Sequence, residues 1–78
     1  MAAATSPSRT TTFRITPKSG IWRVTSDDHF FGDYRARQWA LIGAQEGALA
    51  VRTGGGAARI LVMSASGVIE SDQTLSPL

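Results

Sequence analysis

Apolar and polar residues alternate over 11–16, with Phe13 and Ile15 on one side and Arg14 on the other. A short run with period two marks a half-buried strand. Pro17 to Gly20 follows as a predicted turn, because proline presets φ and glycine is free to take φ > 0. Ile21-Trp22-Arg23-Val24-Thr25 returns as a second strand, placing Trp22 and Val24 on one face and Ile21 and Arg23 on the other. Ser26-Asp27-Asp28-His29 then breaks the pattern, and Phe30 and Phe31 read as core anchors at the start of a helix.

The period changes beyond Asp33, whose carboxylate suits the open amides of a first helical turn. From Tyr34 to about Arg52 proline is absent and alanine frequent, which predicts one long helix. At 100° per residue a broad arc gathers Trp39, Ala50, Gly43, Ala36, Gly47, Ala40, Val51 and Ala44, with Tyr34, Arg52, Gln45 and Gln38 opposite. Small residues on the buried face let a helix backbone sit close to a sheet. Gly43 and Gly47 each cost about 1 kcal/mol of helix propensity relative to alanine, which points to close packing there. Thr53-Gly54-Gly55-Gly56 supplies the stop. Ala58 to Met63 is the most apolar strand, Ala65-Ser66-Gly67 a turn, and Val68-Ile69-Glu70 a shorter strand pairing back.

The fold expected is α+β: ββαββ, a four-stranded antiparallel sheet with one long helix across one face. Its single domain covers 11–71, between a flexible N-terminal tail at 1–10 and a C-terminal tail at 72–78.

A chain of 78 residues forms one domain with a small core. Domains of this size usually need a staple. Without cysteine there is no disulfide or thiolate chemistry, and the single His29 leaves no conventional metal centre. Elimination points to a second copy of the chain, most simply a two-fold homodimer. Seven arginines and Lys18 against six acids give a net charge of +2, which permits weak attraction to polyanions without demanding it. Apolar runs are too short for a membrane span, and the first residues lack the features of a secretory signal, so a soluble cytoplasmic protein is expected.

Pro17, Gly20, Trp22 and Val24 match a P-x-x-G-x-W-x-V hairpin, followed by Phe31, an alanine-rich stretch from Ala36 to Ala50, Leu61-Val62, Gly67 and Ile69. Over about residues 13–70 the chain thereby resembles a family of small bacterial proteins known as domain of unknown function 2188. Ser66 departs from the pattern, standing where an Asp is usual, and the helix surface is poor in lysine and glutamate. The resemblance implies the hairpin–helix–hairpin fold and brings no reaction or catalytic residue.

Ser26, Asp27, Asp28 and His29 hold the ingredients of a triad or a metal site. Neighbours in one loop rarely meet the required geometry, and a solvated turn is the better reading. Thr53 to Gly56 follows its helix rather than preceding it and lacks a Lys-Ser/Thr ending, so it is a helix stop and not a phosphate loop. No catalytic residue, metal or cofactor is assigned. Trp22 and Trp39 read as core aromatics, with stacking on bases or sugars as the alternative.

Two surfaces remain. Arg14 and Arg23, joined by Arg59, form a sheet face able to meet phosphates or a carboxylate-rich protein. Ile42 and Leu49, seven residues apart, form an apolar ridge beside the polar helix stripe, either a dimer or partner contact or a surface buried beneath the N-terminal tail or a neighbouring loop. The function expected is a small non-enzymatic binding module acting through protein–protein contacts. An inhibitor of a host complex, of the type encoded by phages, is one specific version. The alternative is weak nucleic-acid binding through Arg14, Arg23 and Arg59, assisted by Arg9.

Overall fold

The computed structural model describes residues 9–78, so most of the expected N-terminal tail lies outside the described residues. The elements run β1 (Thr10–Lys18), β2 (Ile21–Ser26), β3 (His29–Tyr34), α1 (Arg37–Thr53), β4 (Ala57–Met63) and β5 (Ile69–Leu75). An α+β fold with one helix is therefore present, but the sheet has five strands in the order β3-β2-β1-β4-β5. It is also mixed rather than antiparallel. β4 lies parallel to β1, Phe13 opposite Ile60, and the other neighbours are antiparallel. A parallel neighbour needs a crossover, and the third strand followed by α1 provides it.

The first hairpin turns at Ser19 and Gly20, with φ of +51° and +80°. Positive φ at both central residues matches the twist of the flanking strands. Pro17 lies within β1, beyond Ile15 where the β4 ladder ends, a position that tolerates a missing N–H.

The polar break at 26–29 is a second hairpin turn, with φ of +50° at Asp27 and +70° at Asp28, and not a strand-to-helix link. Aspartate tolerates this region better than most residues. Phe30 and Phe31 consequently sit in β3. A bulge then resets the strand: Thr25 faces Phe30 and Val24 faces Gly32, leaving Phe31 as the extra residue. One added residue exchanges the two faces beyond it. Asp33 thus reaches the open sheet face and Tyr34 turns towards the helix.

Asp33 is not the helix cap. Ala36 holds that position in extended conformation without a side-chain cap, and the helix begins at Arg37 rather than Tyr34. The far end behaves as expected. Gly55 takes φ +99°, and the N–H groups of Gly54, Gly55 and Gly56 donate to the carbonyls of Ala50, Arg52 and Val51 at 3.1, 3.1 and 2.9 Å.

The buried helix face is made of Ala40, Gly43, Ala44 and Ala48, rotated away from Trp39, which is 55% exposed. Against it lie Phe13, Ile15, Val24, Ala58, Ile60 and Val62, with Trp22 partly buried at the margin. A Cβ on Gly43 would overlap the Tyr34 hydroxyl, and one on Gly47 would lie 2.7 Å from Cε2 of Phe13. The two helical glycines are thus sites of close approach.

β5 runs on to Leu75, into the stretch expected to be a tail. Arg52 Nε donates to the Ser76 carbonyl at 2.6 Å, and the Leu78 N–H donates to the Arg52 carbonyl at 3.3 Å. These bonds fasten the end of the sheet to the end of the helix.

Candidate interaction surfaces

Alternation in β1, β2 and β4 sends Arg14, Arg23 and Arg59 to the sheet face away from α1, as the sequence implies. Thr12 pairs with Arg59 across β1–β4, Arg14 with Thr25 and Thr16 with Arg23 across β1–β2. Each arginine, however, meets an aspartate. Arg23 donates from Nε and Nη2 to both oxygens of Asp33 at 2.8 and 3.0 Å, and its guanidinium lies 5.4 Å from the centre of the Phe30 ring. Arg59 makes the same two-pronged contact with Asp72 at 2.9 and 2.7 Å. Arg14 reaches Asp28 more loosely, at 3.4 Å. A depression of about 220 Å³ lies among Thr12, Arg14, Thr25, Asp27, Asp28, Arg59 and Leu61. Its cations are offset by carboxylates, so the surface offers a phosphate backbone little net attraction.

Hydrogen bonds from Arg23 and Arg59 hold the Asp33 and Asp72 carboxyls below their ordinary range, and raise the two guanidiniums in turn. A depressed carboxyl stabilises the fold above its unfolded pKa of about 3.9, and that contribution is lost as pH falls through the lower folded value. Thermal melts should therefore be flat in this respect from pH 7 to about pH 5 and decline below about pH 4. Asp33→Asn with Asp72→Asn should flatten that acid limb. The effect is small because both pairs are solvent-exposed. An unchanged acid limb in the double variant would refute the assignment.

The residues at 26–29 are occupied in building the second turn. The Asp27 carboxylate accepts from the Thr12 N–H at 2.8 Å, and the Asp27 N–H donates to the Thr12 carbonyl at 2.8 Å. Asp28 serves Arg14, and His29 is exposed at the start of β3. Among the described residues no group of three or more His, Asp and Glu is placed to hold a metal ion.

The helix carries the other surface. Ile42 and Leu49 are 44% and 53% exposed, so among the described residues no neighbouring loop covers the expected ridge. Trp39 joins it at the first turn, exposed rather than the core aromatic that the sequence suggests. Beside the ridge, between α1 and the edge strand β3, a groove of about 520 Å³ is lined by Asp33, Tyr34, Arg35, Trp39, Ile42, Gly43 and Glu46. Gly43 shapes its floor by letting Tyr34 lie against the helix. Arg35 and Glu46, both exposed, stand at its margins without an ionic partner among the described residues.

The sheet edges are less available. β3 carries its bulge at Phe31, and β5 carries another, where Val62 faces Ser71 and Met63 faces Ile69. Bulges disrupt the regular row of groups that an incoming strand would need.

No protein-family model, curated protein or solved structure matches this chain. Among the described residues no helix is long and apolar enough to cross a membrane.

Proposed function

We propose that the chain is a small non-enzymatic binding module that engages a protein surface through Trp39, Ile42, Leu49 and the groove beside β3. The observation that carries this reading is the ridge itself. Three large apolar side chains lie along one side of α1, 55%, 44% and 53% exposed, next to a mainly apolar groove. Contiguous exposed apolar surface on a small domain marks a contact site, and tryptophan is among the residues that dominate binding energy at such sites. The arginine face argues less strongly for nucleic acid, because Asp28, Asp33 and Asp72 occupy its three cations.

The test compares two variants of tagged protein in nuclease-treated lysate. Trp39→Ser/Ile42→Asp should lose captured protein, whereas Arg14→Ala/Arg23→Ala/Arg59→Ala should retain it, circular dichroism showing both folded. Capture that follows the arginines, together with oligonucleotide binding that weakens steeply with salt, would transfer the function to the sheet face.

A further inference from the structure

Resting on the reading of the α1–β3 surface as a protein contact, we infer that its occupant is a second copy of this chain, docked antiparallel about a two-fold axis between Trp39 and Ile42. The charges at the groove are self-complementary. It carries one arginine and one glutamate whose charges no side chain of the described fold offsets, Arg35 and Glu46. In chain position, the midpoint between Arg35 and Glu46 is also the midpoint between Trp39 and Ile42. An antiparallel pairing about that point sets Trp39 against the partner's Ile42 and Arg35 against the partner's Glu46. The two-fold then repeats both contacts, as an isologous interface must. One operation thus covers Trp39 and Ile42 and neutralises both charges.

Energetics favour the same occupant. Of ten buried apolar residues among those described, four are alanines, Ala40, Ala44, Ala48 and Ala58, and there is no disulfide to compensate. A core so poor in large side chains gains from burying Trp39 and Ile42 against another copy. The fully buried face of α1 is made of small residues, while Trp39, Ile42 and Leu49 face outwards. Bulges in both edge strands favour the helix side over continuation of the sheet.

Sedimentation equilibrium of the full chain tests the pairing through charge reversal. Wild type should be dimeric. Arg35→Glu and Glu46→Arg should each weaken self-association by about tenfold or more, because each places like charges together twice. An equimolar mixture of the two variants should recover association as a one-to-one heterodimer, since one ion pair then re-forms as in wild type and the other with its charges exchanged. Ile42→Asp should be monomeric, with far-ultraviolet circular dichroism confirming the fold. A monomeric wild type, a dimer indifferent to these changes, or a mixture that fails to recover would each overturn the inference. Monomeric wild type whose lysate capture Ile42→Asp abolishes would remove the second copy as occupant and leave the binding module standing. Loss of both behaviours would remove both.

Discussion

Phe13→Ala should leave the chain largely unfolded at 37 °C. The ring is 2% exposed, lies edge-on to Phe31 with centroids 5.4 Å apart, and packs where α1 approaches β1 at Gly47. Truncating a buried phenylalanine costs about 3–5 kcal/mol once the cavity is included. A domain of this length has about 4–12 kcal/mol in total, so the loss takes a large share of what there is. Few side chains could collapse into the space, because the facing helix residues are alanine and glycine, with no length to extend. Urea melts followed by tryptophan fluorescence should show the midpoint falling sharply or the folded baseline disappearing. A midpoint within error of wild type would mean that the core lies elsewhere. The proposed dimer would raise the apparent stability of both proteins with concentration, so the comparison belongs at one protomer concentration.

The parts of the fold legible in the sequence are those where burial is one-sided. In β1, β2 and β4 every second residue faces α1, and Phe13, Ile15, Val24, Ile60 and Val62 declare it. β3 was not legible, for two physical reasons. Its hairpin turn is Asp27-Asp28 rather than the glycine-containing pair that usually signals such a turn. Its bulge at Phe31 breaks the alternation midway, so His29 to Tyr34 has no consistent period. β5 was legible only at its start, as Val68-Ile69-Glu70, because it is an edge strand exposed for most of its length, with Asp72 tied to Arg59 and only Leu75 reaching the core. Both strands follow from pairing with a neighbour rather than from their own pattern. For the same reason the arginine face could be placed from alternation while its neutralisation could not. Asp33 stands on the strand that periodicity failed to reveal, and Asp72 on the part of β5 beyond Glu70 that reads as a tail. The helix ridge shows the converse: Ile42 and Leu49 were visible from spacing alone, whereas Arg35 and Glu46 acquire meaning only once β3 closes the groove.

Gly47→Ala should destabilise the protein although alanine is the better helix former. In an exposed helix interior the exchange would gain about 1 kcal/mol. Here the added methyl would lie 2.7 Å from Cε2 of Phe13 and 2.9 Å from Cζ of Phe31. Phe31 is half exposed and can move aside, but Phe13 is enclosed by the sheet and the helix and cannot. Overpacking of this kind costs about 1–3 kcal/mol, enough to reverse the sign of the propensity gain. Gly43→Ala makes the comparison informative, since the atoms nearest the methyl there belong to the side chain of Tyr34, whose distal phenol can swing towards the groove. Its melting temperature should fall less than that of Gly47→Ala, and the Tyr34 displacement should be felt at the groove as weakened self-association. Ala50→Gly, at an exposed position of the same helix, calibrates the backbone contribution at about 1 kcal/mol in the ordinary direction. With all three measured at one concentration, a Gly47→Ala protein that melts above wild type would show that α1 does not sit as close to β1 as the glycine implies. A protein that melts below Gly43→Ala would show that the helix is held at this distance by the Phe13 ring, and that the alanine-rich face exists to allow it.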